Sequence, residues 1–175
     1  MTHETDYLRF YDTEAYLLDV GRSYRESGTL TAADFYMLLA WKANRVKYRH
    51  RDRLKRRAGS FEAAVKTIAT ELHATTDPRR RLQILMQTWG FPLTTATVIL
   101  TILYPDEFIV YDYRLSQEVG QWCSEAGFSN QVWSEYERFQ AAVISTAPRD
   151  LSLRDKDRFL TARSIRTQIE RDCTA

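Results

Sequence analysis

The stretch LQILMQTWGFPLTTATVILTILYPDEFIVYDYRL, residues Leu82 to Leu115, decides how this chain folds. Leu82, Leu85 and Met86 recur at helical spacing, and Gly90 stops that pattern. A second run starts near Leu93 and passes through Ala96, Val98, Ile99, Leu100, Ile102 and Leu103 to Tyr104, where Pro105 breaks it. It is apolar almost all round, which predicts a helix surrounded by other elements on every side. Phe108 to Tyr111 reads as a short extended return, and Asp112 then opens a further helix.

Spacing alone constrains where that aspartate lies. A helix rising about 1.5 Å per residue puts Pro105 roughly 15 to 18 Å from the Gly90 turn. An extended return of seven or eight residues covers roughly 25 Å at most. Asp112 can therefore come back beside Thr94, at a helix N-terminus, where backbone donors and the helix dipole favour an anion. The same residue also reads simply as the cap of its helix.

Outward from this stretch the pattern stays helical. Tyr16, Leu17, Val20 and Tyr24 mark a helix over Glu14 to Arg25, preceded by Thr13 and stopped by Gly28. Thr31 with Asp34 resembles a capping box with a shortened acid, ahead of Phe35, Leu38, Leu39 and Trp41. Ser60 caps a helix to Ala74, and Asp77-Pro78 is a strong start for the helix that carries Leu82. Helices from Asn130 to Thr146 and from Ser152 to Arg171 close the chain, with Trp122, Trp133, Phe139 and Phe159 read as core. The expectation is an all-α fold of eight helices in a single domain spanning 1–175, since 175 residues with 44% apolar content suit one core better than two.

Composition removes several function classes. No apolar run approaches the roughly 18 to 20 residues of a membrane span, and Met1 to Asp6 is polar, so no membrane partner and a cytoplasmic location are expected. Cys123 and Cys173 are too few for a disulfide framework or a four-thiolate centre and read as reduced thiols. His3, His50 and His73 are scattered, so neither a metal nor another cofactor is expected. The net charge of +2 conceals a concentration of cations. From Lys42 to Arg57, nine of 16 residues are basic and one, Asp52, is acidic, which leaves the rest of the chain at −6. Lys42, Arg45, Lys47, Arg49, Arg51 and Arg53, interleaved with Trp41 and Tyr48, have the composition of a phosphate-backbone footprint. A solvated basic loop or helix end is the alternative reading of the same run.

At the centre of the chain, Gly90-Phe91-Pro92-Leu93-Thr94-Thr95-Ala96 followed by an apolar helix, a return and Asp112 resembles the helix-hairpin-helix superfamily of base-excision DNA glycosylases. That family's hairpin has the form G-x-G-x-K-T-A, matched here at the first glycine and the Thr-Ala pair. The resemblance covers about a fifth of the chain strongly, and Trp41-Lys42 and Leu153 to Leu160 only weakly. It implies a DNA-glycosylase-like, all-α fold, DNA or another nucleic acid as partner, Asp112 as the catalytic carboxylate, and Gly90, Phe91, Leu93, Thr94 and Thr95 at the DNA backbone.

Two departures bear on the chemistry that the resemblance implies. Thr94 stands where bifunctional members carry a Schiff-base lysine, and a hydroxyl cannot form that adduct. The expected activity is therefore monofunctional hydrolysis of a damaged or modified base, or none, in a scaffold that binds nucleic acid or protein without turnover. Pro92 replaces the second glycine and removes one backbone donor from the turn. Trp89, Phe91, Tyr104, Phe108 and Tyr111 surround the expected site as pocket walls or, more simply, as core, and Arg114 is placed to pair with Asp112 or to meet phosphate.

Overall fold

A computed structural model describes residues 11–124 and 127–174. The polar start and His3 lie outside the described residues. The described chain is helical throughout, with no β-strand among the described residues. In chain order the helices are α1 (Thr13–Ser27), α2 (Ala32–Lys42), α3 (Lys47–Ala58), α4 (Phe61–His73), α5 (Pro78–Gln83), α6 (Leu93–Leu103), α7 (Tyr113–Val119), α8 (Asn130–Thr146) and α9 (Leu153–Thr174). A π-helical turn, Ile84–Thr88, continues α5 up to Gly90. Among the described residues one helix stands beyond the eight expected, α3, built from the basic run.

Most boundaries follow from local chemistry. Ser60 Oγ accepts from Ala63 N–H, and Asp77 caps through Arg79 N–H with Pro78 at the first helical position. Helix α1 begins one residue earlier than the Thr13 reading, because Asp12 Oδ1 accepts from Ala15 N–H at 3.1 Å. At α2, Thr31 Oγ1 accepts from Asp34 N–H, but the short Asp34 side chain takes the Thr31 hydroxyl at 2.5 Å. Asp34 Oδ1 also accepts from the Tyr16 hydroxyl, which ties this cap to α1.

Helix α6 is the central element. Ten of its 11 residues are buried, and Thr94 alone faces solvent. Helices α1, α2 and α5 pack around it. Gly21 permits the closest of these approaches, since a Cβ at this position would lie 2.1 Å from the Ile102 carbonyl oxygen. Helices α7, α8 and α9 pack on one another, and Val132, Tyr136, Phe139, Val143 and Leu160 join the same buried cluster as Leu17, Phe35 and Ile99. Two expected core residues lie elsewhere. Trp122 is 52% exposed, in the irregular segment after Gly120 against the Tyr113 ring, and Phe159 is 40% exposed on α9 beside Arg163. Helical spacing selected Phe159 on a long helix whose outer face carries apolar residues too, Ile165 and Ile169 among them.

The return from α6 to α7 has no strand partner, and side chains supply its hydrogen bonds instead. Ile109 N–H donates to Tyr136 Oη at 3.0 Å, and the Tyr136 hydroxyl donates back to Ile109 O at 2.7 Å. Tyr111 N–H donates to Thr97 Oγ1 at 3.0 Å, and the Thr97 hydroxyl donates to Leu93 O at 2.9 Å. Between them, Val110 N–H meets the Asp157 carboxylate. Helices α8, α9 and α6 therefore each hold one of three successive amides, which sets the position of Asp112, the residue after the Thr97 contact.

No helix among the described residues is long and apolar enough to cross a membrane.

Candidate nucleic-acid interface

The turn between α5 and α6 is built by backbone economy. Gly90 has φ +67°, a left-handed conformation that L side chains rarely adopt. Phe91 N–H is spent on Leu85 O at 2.9 Å, and Pro92 has no N–H to offer. Pro92 O accepts from Thr95 and Ala96 N–H, and no side chain caps α6. The free donors of this turn are thus the first-turn amides of Leu93 and Thr94.

Helix α3 docks on that turn through its arginines. Only His50 and Leu54, four residues apart, are buried along it, so little apolar area anchors the helix. Arg53 Nη1 donates to Gly90 O at 2.6 Å, and its guanidinium lies 5.0 Å from the centre of the Phe91 ring. One turn later Arg57 sits 5.2 Å from the Trp89 ring centre. Burial, then the nearby Arg57 cation, push the Arg53 guanidinium below its ordinary range. The α3 N-terminus has no side-chain cap and no acid in its first turn, while Lys47 there bonds to Asn44 Oδ1.

Two cavities flank the turn. The first, of about 330 Å³, is lined by Lys42, Ala43 and Val46 from the α2–α3 corner, Thr94, Thr95 and Val98 from α6, and Val110, Tyr111 and Asp112 from the return. It brings together the aspartate, the start of α6 and the first cation of the basic run. Asp112 caps α7, with Leu115 N–H donating to Oδ1 at 2.8 Å. Its Oδ2 has no hydrogen-bond partner among the described residues, so capping occupies one oxygen and leaves the other. Lys42 lies 5.1 Å from the Trp41 ring centre.

Behind this cavity is a buried carboxylate that sequence reading did not single out. Asp157 is 2% exposed, ion-paired with Arg154, which also binds Glu14 of α1 and covers Trp41. Burial raises the Asp157 carboxyl above its ordinary range, and the Asp112 carboxylate raises it further. Arg154, Lys42 and the Val110 amide oppose the rise.

The second cavity, of about 520 Å³, lies between α3 and Pro92 and is lined by Val46, Arg49, His50, Asp52, Arg53, Arg56 and Pro92. Val46 belongs to both walls, so the two cavities adjoin. His50 is 6% exposed, its ring 5.1 Å from Phe91, and neither ring nitrogen has a hydrogen-bond partner. Burial, then the neighbouring Arg53 cation, lower its pKa to about 4.

The remaining expected residues separate. Arg45 is exposed in the α2–α3 corner, and Arg51 pairs with Asp52 at 2.8 Å while stacking near Tyr48. Arg114 donates to Gln168 of α9 at 2.8 Å. Of the five aromatics, Tyr111 alone lines the Asp112 cavity, and Trp89, Phe91, Tyr104 and Phe108 are buried in the core. Burial also pushes the Cys123 thiol up to about 11, and both cysteines are free. Among the described residues no three His, Cys, Asp or Glu side chains are grouped to hold a metal ion.

No protein-family model, no curated protein and no solved structure matches this chain.

Proposed function

We propose that the protein binds DNA and is a monofunctional, glycosylase-like hydrolase in which the α5–turn–α6 unit is a divergent helix-hairpin-helix and Asp112 assists cleavage of an N-glycosidic bond. The observation that supports this reading is the shared cavity, where Asp112 from the return meets Thr94 and Thr95 from the start of α6. Its volume of about 330 Å³ lies at the lower end of the roughly 300 to 1,000 Å³ of small-ligand sites. Departure of a base builds positive charge on the sugar, and the unbonded Asp112 oxygen is a fixed anion suited to stabilise that charge or to orient a water. Lys42 beside it offers a cation to a flanking phosphate.

The experiment is base release from a panel of lesion-containing duplex and single-stranded oligonucleotides, compared with Asp112→Asn. Asparagine caps a helix about as well as aspartate, so the substitution keeps α7 and removes only the charge. The expected result is release without strand nicking by the wild type and a loss of about 100-fold or more in the variant, the scale of removing one preorganised electrostatic group. Equal activity in the two proteins would remove Asp112 from the chemistry.

One observation favours a second reading, a nucleic-acid or protein-binding module without turnover: Asp112 already has a structural duty as the α7 cap. That reading predicts salt-sensitive binding, weakened by neutralising Arg49, Arg51 and Arg53, with no base released from any substrate.

A further inference from the structure

Four of the seven buried side-chain polar atoms left without a partner among the described residues belong to one cleft: both nitrogens of His50, and Nε and Nη2 of Arg53. Buried polar groups are nearly always satisfied, so a concentration of this kind at a concave surface points to a missing ligand. The pattern on Arg53 gives its chemistry. Nη1 is fixed on Gly90 O and the guanidinium plane rests near the Phe91 ring, which leaves Nε and Nη2, the two donors along one edge of the fork. That edge matches two oxygens of an oxyanion.

Charge in the cleft agrees. Arg49, Arg53 and Arg56 contribute three cations, and the one carboxylate, Asp52, is already held by Arg51 at 2.8 Å. His50, more than nine-tenths buried, adds a ring with no competing protein partner. The amides of the adjoining turn are poor substitutes, because Phe91 N–H is consumed by Leu85 O and Pro92 has none. Side chains of α3 therefore supply the anion-binding groups of this cleft.

We propose that the cleft between α3 and the Gly90–Pro92 turn is a phosphate site, in which Arg53 supplies a bidentate edge, Arg49 and Arg56 close over the anion, and His50 forms the floor. The phosphate is that of a nucleotide or a nucleic-acid strand; this source rests on the DNA-binding reading, while the oxyanion chemistry stands on the cleft itself. Because Val46 is common to both cavities, a phosphate bound here belongs to a nucleotide beside the one at Asp112.

The test uses the full chain and the His50 ring resonances. Inorganic phosphate is titrated at constant ionic strength, with acetate as the comparison anion and His73 as the internal reference. The expected result is a saturable shift of His50 with phosphate, little with acetate, and none at His73. Arg53→Gln should weaken binding about tenfold or more, as expected for a lost charge-assisted pair of hydrogen bonds. That variant also loses the bond to Gly90 O, so Arg49→Gln and Arg56→Gln, whose side chains are exposed, serve as the second set and should weaken binding with unchanged melting temperature. An unmoved His50, an equal response to acetate, or wild-type affinity in both exposed-arginine variants would overturn the site.

A short oligonucleotide with and without a 5′-phosphate then separates the sources. Displacement of phosphate by the phosphorylated form alone assigns the site to a strand end or nucleotide, and equal displacement by both assigns it to a backbone diester. Failure of both overturns the nucleic-acid source. Phosphate binding without base release would leave this site standing while the glycosylase reading fell, and base release that survives in Arg49→Gln and Arg56→Gln, with no phosphate response, would do the reverse.

Discussion

The buried imidazole of His50 should make the fold sensitive to mild acid. In the unfolded chain a histidine titrates near 6.5, and in the folded protein burial beside Arg53 lowers this pKa to about 4. Between those two values the unfolded chain binds a proton that the native state refuses. Stability from this residue is therefore complete above about pH 6.5 and is lost as pH falls towards 4. The full difference is about 3 kcal/mol at 1.36 kcal/mol per pKa unit, of which about three quarters is lost by about pH 4.5. His50→Phe isolates it, because phenylalanine keeps a ring against Phe91 and carries no nitrogen to protonate. At neutral pH the variant should match the wild type or exceed it, since two unpartnered buried nitrogens are removed. The assay is urea unfolding of both proteins from about pH 7 to about pH 4.5, read as the difference between them. The charged groups lining the cleft, Arg49, Asp52, Arg53 and Arg56 on α3, are present in both proteins, and the turn opposite presents the uncharged Phe91 and Pro92. Parallel stability profiles would refute the claim that His50 is held neutral by burial.

Thr97→Val should cost about 1 to 3 kcal/mol in urea unfolding, because Tyr111 N–H loses its buried acceptor and no water replaces it in the core; a neutral effect would show that the return is held otherwise. Arg154→Met strands the Asp157 carboxylate in a site 2% exposed and should destabilise by about 3 to 5 kcal/mol, with Asp157→Asn in the same background recovering part of the loss. Gly21→Ala drives a methyl into the Ile102 carbonyl, a backbone group that cannot swing aside, and should lower stability by about 3 kcal/mol or more. A near-wild-type melting temperature for that variant would mean that α1 and α6 do not approach as closely as described.

The sequence carries the α5 to α7 region well because each step there is punctuated by a residue with one conformational use. Gly90 takes a positive φ, Pro92 and Pro105 bracket α6, and Asp112 caps α7. Apolar periodicity did the same for α4 and α8. It failed for α3, where Val46 at the cap, His50 and Leu54 recur every four residues among seven helical cations, so that charge masks the inward stripe. The cleft at His50 was hidden for a related reason. A lone histidine in a basic run reads as one more solvated group, and its burial depends on Phe91, 41 positions away in sequence. Arg154 and Asp157 pair at i, i+3 within α9, a spacing that reads as an ordinary surface pair, and what buries them comes from elsewhere in the chain, Glu14 of α1 and the Val110 amide of the return.

The position of Asp112 is held by more contacts than a helix cap requires. A helix cap needs only its own first turn, and Leu115 N–H satisfies that need. The three preceding amides are nevertheless held by Tyr136, Asp157 and Thr97, side chains from three different helices. One of these, Asp157, is ionisable, and burial, with a smaller contribution from the nearby Asp112 carboxylate, raises its carboxyl above the ordinary range. Burying a second carboxylate behind the first costs stability that an apolar residue at 157 would avoid, unless Arg154 and Lys42 compensate for both. The proposed role of Asp112 calls for an anion that stays put while charge develops beside it, and a return fixed from three directions supports that reading. If capping were the whole duty of Asp112, Asp157→Asn would leave ligand binding and any base release unchanged. If the pair acts together, the same substitution should alter the pH profile of Asp112-dependent activity in the folded protein, a change that the stability lost with the Arg154 pair does not itself produce.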